Sequence, residues 1–249
     1  MSKDDQNDLP VPQGEALVLS DAWDYVETRA LDARHLARNR IISAAQSDPA
    51  HRAFDMLRTR LLQTIEERGW GRIAVTSPTR GCGKTFVAAN LAHAIARRET
   101  YRTVLLDMDL RQPGLAKALG IADDKSMKDF LQGYEEPEKF LIRVGGNLAV
   151  GVSHAPGDSA SEVLQESMTV EVLDELMDTV RPSVVLYDMG PALESDDVVA
   201  FLPNVDGVLL VAGGGVTTPD QVRQCERLIS PKAPILGVIL NRAEDGLTL

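Results

Sequence analysis

The stretch Ser77–Thr85, SPTRGCGKT, determines how the rest of the chain is interpreted. Its end matches the phosphate-binding pattern G-x-x-x-x-G-K-[ST], and it lies between the apolar run RIAVTS and the helical pattern KTFVAANLAHAIARR. In such a strand–loop–helix arrangement, Gly81 and Gly83 let backbone N–H groups turn towards phosphate oxygens, and the helix N-terminus favours negative charge. Lys84 adds a positive charge. The sequence therefore predicts a loop that binds the phosphates of a nucleotide.

One position of this loop departs from the pattern. Pro78 occupies the place of the first glycine. Proline has a fixed φ and no N–H, so it suits a tight exit from a strand where no amide has to reach a phosphate. The alternative interpretation is a glycine-rich turn that caps a helix, with Lys84 in solvent. The flanking strand and helix patterns favour nucleotide binding over this alternative.

After Trp70 the chain alternates between short apolar runs and helical patterns. The apolar runs are rich in Val, Ile and Leu, which predicts strands buried on both faces. Strands that alternate with helices predict an α/β fold, a mainly parallel sheet with helices on both faces, whose ligands bind at the carboxyl ends of the strands. The predicted strands are RIAVTS, TVLLDMD, NLAVGV, SVVLYDM, GVLLVAG and PILGVILN, and the predicted helices are KTFVAANLAHAIARR, PGLAKALG, MTVEVLDELMDTV and PDQVRQCERLI.

Two more strand ends carry aspartates. In VLLDMDLRQP, Asp107 and Asp109 end an apolar strand two residues apart, and Asp188 ends the strand in SVVLYDMGP. Burying unpaired carboxylates is costly, and a divalent cation removes that cost. Together with the loop and the Thr85 hydroxyl, these side chains predict a magnesium–nucleotide site. The alternative is a set of carboxylates at the starts of loops that face water.

Length and composition limit the class of protein. The chain has 249 residues, enough for one large α/β domain or two small ones. Its formal net charge of -11 disfavours a nucleic-acid binder, because phosphate backbones favour clustered Lys and Arg. Cys82 and Cys225 form neither a metal site alone nor a disulfide framework, and are typical of a reducing cytoplasm. The acidic N-terminus is unlike a signal peptide, and no run approaches the roughly 18–20 apolar residues of a membrane span.

The chain is interpreted as two parts, a short N-terminal segment and a larger domain. Residues 1–39 are interpreted as an N-terminal extension and residues 40–249 as the nucleotide-binding domain. Residues 1–15 are rich in Asp, Gln, Asn and Pro and are expected to be disordered. Apolar residues recur near helical spacing from Trp23 to Leu36, which predicts a helix with Ser20 as its N-cap. A second helix is predicted in HRAFDMLRTRLLQTIEERG.

TSPTRGCGKT, VLLDMDLRQP and VVLYDMGP together resemble the ordered motifs of the bacterial tyrosine kinases of exopolysaccharide and capsule synthesis (BY-kinases). These are a modified Walker A, a Walker A′ of form D-x-D-x-R and a Walker B. The resemblance covers about residues 40 to 243 and includes SASEVLQE and DGVLLVAGG. It implies a P-loop fold of the deviant Walker A class, MgATP as substrate and phosphoryl transfer to tyrosine. It also implies a cytoplasmic protein held at the inner face of the membrane by a partner, a polysaccharide co-polymerase or chain-length regulator subunit.

The resemblance implies roles for individual residues. Lys84 would hold the β- and γ-phosphates, and Asp107 would assist deprotonation of the attacking hydroxyl. Thr85, Asp109 and Asp188 would hold Mg²⁺ directly or through water. The expected catalytic residues are therefore Lys84, Asp107 and Asp109.

The adenine end of the expected site is assigned in the same way. Asn241, in LNR at the end of the last predicted strand, resembles the family residue near the adenine, and its amide can both donate and accept a hydrogen bond. The full set of expected nucleotide-binding residues is Thr79, Arg80, Gly81, Cys82, Gly83, Lys84, Thr85, Phe86, Asn241 and Arg242.

The tyrosines depart from the BY-kinase pattern. Family kinases usually end in a tyrosine cluster that is autophosphorylated, whereas this sequence ends in LNRAEDGLTL. Tyr187 lies in a predicted core strand and Tyr101 just before one. Tyr25 and Tyr134 are expected to be freely placed, so phosphorylation of a tail cluster is not expected.

Charges depart from the pattern in two further places. The family frame E-x-x-R-x-x-R reads Arg52, Asp55, Arg58 here. Self-association through residues 50–62 therefore requires a changed partner surface, because like charges at an unchanged contact repel. The segment GGGVTT also lacks the basic residues expected near Gly213 and Val216.

Two other functions stay open at this point. One is a nucleotide-dependent regulator without kinase activity, which binds a polysaccharide-assembly partner and changes shape on binding ATP. The other is a partition or division-site ATPase switch. That class carries a signature lysine five residues before the loop lysine, where this chain has Thr79. The acidic balance and the lack of a basic amphipathic C-terminal helix also disfavour it.

Overall fold

The computed structural model describes residues 21–41, 49–154, 156 and 160–243. These residues form an eight-stranded sheet in the spatial order β1-β4-β5-β3-β6-β2-β7-β8. Neighbouring strands are parallel except for the antiparallel pair β4–β5. The strands are β1 Glu27–Thr28, β2 Arg72–Ser77, β3 Thr103–Met108, β4 Ile142–Arg143, β5 Leu148–Gly151, β6 Val184–Pro191, β7 Gly207–Gly213 and β8 Ile235–Asn241. The predicted mainly parallel α/β sheet is confirmed, and all six predicted strands are present.

Helices cover both faces of the sheet, as buried parallel strands require. Helices α1 to α4 pack on one face, and α5 to α10 pack on the other. The helices are α1 Ala33–Arg38, α2 Pro49–Arg68, α3 Lys84–Ala96, α4 Leu115–Leu119, α5 Met127–Leu131, α6 Pro137–Phe140, α7 Ala160–Val163, α8 Ser167–Val180, α9 Asp197–Phe201 and α10 Pro219–Ile229, with 3-10 helices at Ala22–Tyr25 and Leu202–Asn204. The predicted helices correspond to α2, α3, α4, α8 and α10. Within the described ranges, no helix is long and apolar enough to cross a membrane.

The single helix predicted from Ser20 to Leu36 is wrong. A 3-10 helix capped by the Asp21 carboxylate is followed by β1 at the sheet edge and then by α1. Trp23 packs in the cluster on the α5–α10 face, whereas Leu36 packs in the cluster on the other face. The apolar residues recur because the segment crosses the edge of the sheet and contributes to both cores. Ser20 and the expected disorder of residues 1–15 lie outside the described residues.

The last strand is less buried than its apolar sequence predicted. Val238 and Leu240 are 46% and 59% exposed. β8 is an edge strand that pairs with β7 only. An apolar run alone does not distinguish an edge strand from a central strand, so tertiary position accounts for this difference.

Candidate functional site

The candidate site lies at the carboxyl ends of three adjacent parallel strands, β3, β6 and β2. The loop after β2 carries the glycines, and the ends of β3 and β6 carry the aspartates. Asp107 and Asp188 are direct neighbours in the β3–β6 register. The strand order therefore brings together the loop and the carboxylates that lie far apart in the sequence.

The loop backbone depends on its glycines. Gly81 and Gly83 have φ values of +80° and +89°, and Gly83 is the N-cap of α3. A Cβ atom at position 83 would lie 2.2 Å from Nδ2 of Asn241. That amide, at the end of β8, donates to the carbonyl of Cys82 at 2.9 Å. Asn241 therefore lies directly against the loop.

Several expected nucleotide-binding side chains already have partners in the chain. The ring of Phe86 packs edge-to-face on Phe54 with centroids 5.8 Å apart. The thiol of Cys82 lies 3.3 Å from the hydroxyl of Thr217 and 3.7 Å from that of Thr79. These three loop and helix residues are therefore held by packing and hydrogen bonds. Arg242, which follows Asn241, has a left-handed backbone with φ of +57°.

Arg80 lies at the rim of the loop and is bound by Glu194, an acidic residue that was not predicted from the sequence. Its backbone N–H donates to Glu194 Oε1 at 2.7 Å, and its Nε donates to Oε2 at 2.8 Å. Its guanidinium also contacts Gln112. Glu194 belongs to PALESDD, directly after β6, and its position after a strand end is the signal that could have identified it.

Lys84 forms an ion pair inside the site. Its Nζ lies 2.8 Å from Asp109 Oδ2, and the two side chains are only 14% and 4% exposed. Burial acts to lower the pKa of Lys84, but the charges of Asp188 and Asp109 outweigh it and raise that pKa. The lysine therefore stays charged in a buried position, where an anion is attracted strongly.

Asp107 is held by backbone groups at the start of α4. Its Oδ2 accepts from the N–H of Gly114 at 2.9 Å and of Leu115 at 2.8 Å. Its Oδ1 is buried and has no hydrogen-bond partner among the described residues. Burial and the neighbouring charge of Asp188 raise the pKa of Asp107 well above its usual range, against the opposing effect of the two N–H groups.

Asp188 is the least compensated carboxylate of the site. It is fully buried, and neither of its oxygens accepts a hydrogen bond of normal geometry in the described part of the chain. Burial raises its pKa to about 6, although the charge of Lys84 and the nearby Thr85 hydroxyl act to lower it. Buried polar atoms without partners are rare in folded proteins. Such oxygens fit a divalent cation, which prefers carboxylate and hydroxyl ligands.

The protein side chains do not by themselves form a complete cation site. Among the described residues, no group of three or more His, Cys, Asp or Glu side chains is arranged to hold a metal ion. A cation here would need further oxygen ligands from phosphate and water, which is how Mg²⁺ is usually bound beside nucleotides.

A second arginine lies beside these carboxylates. Arg111 donates through Nε and Nη2 to the two oxygens of Asp197, at 2.7 and 3.0 Å. Ser195 donates to the same carboxylate at 3.0 Å. Arg111 belongs to the motif VLLDMDLRQP, but its partner Asp197, which is buried at the start of α9, was not predicted from the sequence.

Comparison with known families identifies the class of this domain. Residues 73–248 match the family model described as the CobQ/CobB/MinD/ParA nucleotide binding domain. This range covers more than half of the chain and contains every motif of the candidate site. The chain belongs to this family of nucleotide-binding domains.

Several relatives of this chain are named as bacterial tyrosine kinases, which confirms the resemblance. EpsB of Ralstonia solanacearum, named as a candidate tyrosine-protein kinase, is 31% identical over 199 residues, which is 78% of this chain and 26% of EpsB. The tyrosine-protein kinase etk of Escherichia coli K12 is 28% identical over 212 residues, 84% of this chain and 29% of the relative. This chain therefore spans between a quarter and a third of these relatives.

A solved structure agrees with the fold. The kinase domain of Escherichia coli tyrosine kinase ETK superposes with a TM-score of 0.75 at 25% identity, over 90% of this chain and 93% of that domain. The P-loop fold predicted from the sequence is thus confirmed. The roles of the individual site residues stay predictions.

Proposed function

We propose that this chain binds MgATP at the carboxyl ends of β2, β3 and β6 and transfers the γ-phosphoryl group to tyrosine. The observation that carries this proposal is the pair of buried, neighbouring carboxylates Asp107 and Asp188 beside the charged Lys84, with three oxygens that lack hydrogen-bond partners among the described residues. The arrangement is unfavourable for the empty protein. It becomes favourable when a cation and phosphate groups enter, which supports a nucleotide site.

The phosphate end of the proposed site uses the loop and α3. Gly81 and Gly83 direct backbone N–H groups into the loop, and the α3 N-terminus adds a favourable field. Lys84 would exchange Asp109 for the β- and γ-phosphates. Each charge-assisted hydrogen bond contributes about 1.5–3 kcal/mol, so several together hold a nucleotide.

Mg²⁺ is proposed to be held by Thr85, Asp109 and Asp188. When bound, the cation would neutralise charge on the transferring phosphoryl group. The release of Asp109 from Lys84 would free its carboxylate for this role. Support comes from the proximity of the Thr85 hydroxyl to Asp188, since the hydroxyl lowers the pKa of that carboxyl.

Asp107 is proposed to accept the proton of the attacking tyrosine. One of its oxygens is anchored by the N–H groups of Gly114 and Leu115, and the other has no partner in the described chain. Its raised pKa makes it a better proton acceptor than an ordinary carboxylate. The tyrosine oxygen attacks the γ-phosphorus, the bond to the bridging oxygen breaks, ADP leaves, and the proton passes to Asp107.

The adenine base and the rest of the nucleotide are proposed to contact residues around the loop. The amide oxygen of Asn241 is proposed to meet an adenine edge, while its amide nitrogen donates to the carbonyl of Cys82. The other proposed contacts, supported by their places in the loop, in α3 or after β8, are Thr79, Arg80, Phe86 and Arg242.

The partners are proposed from the relatives. One relative is a succinoglycan biosynthesis transport protein, ExoP of Rhizobium meliloti, 31% identical over 182 residues. We infer that this chain works in exopolysaccharide or capsule synthesis, in the cytoplasm at the inner face of the membrane, with a co-polymerase subunit. No nucleic-acid partner is proposed.

Self-association through residues 50–62 is proposed to use a surface unlike that of BY-kinases. Asp55 is bound inside the chain by Arg58 at 2.9 Å, by His51 at 3.2 Å and by Arg97. Its charge is therefore compensated within the chain. The exposed Arg52 and Met56 of α2 remain for a contact with another copy.

The test is a transfer assay with γ-labelled ATP, Mg²⁺ and a Glu–Tyr copolymer. We expect Lys84→Met to abolish ATP binding and transfer, and Asp107→Ala to abolish transfer while ATP still binds. Lys232→Met is the matched control, because Lys232 is exposed before the amino end of β8. ATP binding without any transfer, even with the cytoplasmic tail of a co-polymerase added, would overturn the kinase function and leave an ATP-dependent regulator.

A further inference from the structure

The four tyrosines of the chain differ in how far their hydroxyls are available. Tyr187 is fully buried in β6. The hydroxyl of Tyr101 donates to Glu66, which holds the side chain on the surface of α2. Tyr25 and Tyr134 are 66% and 75% exposed. Only these two side chains can enter the active site of another molecule without breaking an existing contact.

The 3-10 helix that carries Tyr25 is anchored through its first residues at the amino ends of the central strands. Asp21 forms an ion pair with Arg102, and the Arg102 guanidinium lies 5.4 Å from the Trp23 ring centroid. Arg102 immediately precedes β3. Arg181, just before β6, also lowers the pKa of Asp21, although burial opposes this effect. Both arginines belong to the edge of the sheet opposite the candidate site.

Tyr134 lies at the carboxyl ends of the strands. It lines an open groove together with residues 124–126, directly before α5. The N–H of Met127 donates to the hydroxyl of Ser153, and Ser153 follows the carboxyl end of β5. β5 is the neighbour of β3, which carries Asp107 and Asp109. Tyr134 and the phosphate loop are therefore on the same edge of the sheet.

The turn that carries Tyr134 is firmly anchored at its base. The N–H of Tyr134 donates to the carbonyl of Asp129 at 3.0 Å, and Gly133 has a φ of +78° that closes the turn. Phe130 and Phe140, on either side of the turn, stack with centroids 4.2 Å apart and are fully buried. The ring of Phe140 packs beside Gly151 of β5, so the anchored turn holds its exposed tyrosine next to this strand. The turn can present the tyrosine to a second molecule.

From this placement we propose that Tyr134 is the site at which one copy of this chain is phosphorylated by another. The inference rests on the proposed kinase function and names its acceptor. The Tyr134 oxygen attacks the γ-phosphorus of ATP bound by the second copy, and the bond from that phosphorus to the bridging oxygen breaks. ADP leaves, and the tyrosine proton passes to Asp107 of the second copy.

The experiment uses the full chain with γ-labelled ATP and Mg²⁺, and mass spectrometry locates phosphotyrosine. We expect Tyr134→Phe to reduce self-labelling at least about tenfold, by loss of the acceptor, and Tyr25→Phe to leave it unchanged. Both variants phosphorylate the Glu–Tyr copolymer like the wild type. When Lys84→Met protein is mixed with Tyr134→Phe protein, the label appears on Tyr134 of the Lys84→Met copy.

The outcomes separate this inference from the function on which it rests. Transfer to the copolymer without label on Tyr134, or label that never passes to the Lys84→Met copy, overturns the inference and leaves the kinase function. Transfer neither to the copolymer nor to the chain overturns both.

Discussion

Neutralising Asp188 is expected to stabilise the protein in the absence of nucleotide. Asp188 is fully buried without a normal hydrogen bond among the described residues, and its pKa is raised from 3.8 to about 6. A shift of about 2 units, at about 1.36 kcal/mol per unit, corresponds to about 3 kcal/mol against the ionised form. Asp188→Asn keeps the shape and removes the charge. We expect the free energy of unfolding at pH 7.5 to rise by about 2–3 kcal/mol.

The pH dependence follows from the direction of the shift. Because the folded-state pKa is above the unfolded value, the folded protein binds the proton more tightly, and the protonated form carries no penalty below about pH 4. The free-energy penalty for the ionised carboxyl develops as pH rises from about 4 to the folded-state pKa of about 6, and it is complete above that pKa. The gain from Asp188→Asn should therefore be near zero at pH 4 and reach its full size above pH 6.

The assay is urea unfolding followed by circular dichroism, with EDTA, between pH 4 and 7.5. Asp109→Asn is the matched control, because it removes a carboxylate that is paired with Lys84 at 2.8 Å. The free energy of unfolding of that variant should fall by about 1–3 kcal/mol, since the charge of Lys84 loses its partner in a buried position. Both variants should lose the stabilisation that MgATP gives the wild type. A destabilised Asp188→Asn protein, or a gain that does not change with pH, would refute the reasoning.

Three further predictions concern the loop, the N-terminal segment and the core. Gly83→Ala should lower the free energy of unfolding by more than a left-handed φ alone would, which is about 1–2 kcal/mol. It should also weaken ATP binding, because the added Cβ would lie 2.2 Å from Asn241. A Cβ at Gly81 would have nothing within 4 Å, so Gly81→Ala should lose only the stability that the left-handed backbone costs. Equal losses for the two variants, in urea unfolding and in ATP titration, would contradict this. Trp23→Ala should lose about 3–5 kcal/mol in urea unfolding, because the ring is 3% exposed, and a loss below about 1 kcal/mol would mean that its segment packs independently. Tyr187→Phe should be neutral or stabilise by up to about 1 kcal/mol, because the buried hydroxyl has no partner in the described chain, and thermal unfolding at a lower temperature would reveal a missed hydrogen bond.

The central strands and the loop could be predicted because their signals are local. The run RIAVTS, the glycines and Lys84 lie within a few residues of each other, and strand, turn and helix N-terminus are each determined by near neighbours. Asp107, Asp109 and Asp188 were identifiable because each follows an apolar run, and parallel strands place their carboxyl ends on one edge.

Pairings between distant segments were not predictable from local patterns. The sequence does not state that β3 and β6 are neighbours, and this order makes Asp107 and Asp188 face each other. The partners Glu194 and Asp197 of the two rim arginines became visible only when α9 and the preceding loop packed beside the site. The same holds for β1 and β4, which are two residues long and carry no periodicity of their own.

The sequence by itself thus determined the class of fold and the chemical groups at the site, since these depend on apolar runs, glycines and charges that are neighbours along the chain. The tertiary structure alone decided the rest. It divided Trp23 and Leu36 between opposite faces, left one side of β8 open, and placed Tyr134 on the edge of the phosphate loop. These outcomes depend on strand order and on which surfaces are covered, because burial is a property of the packed assembly of elements and not of any one segment.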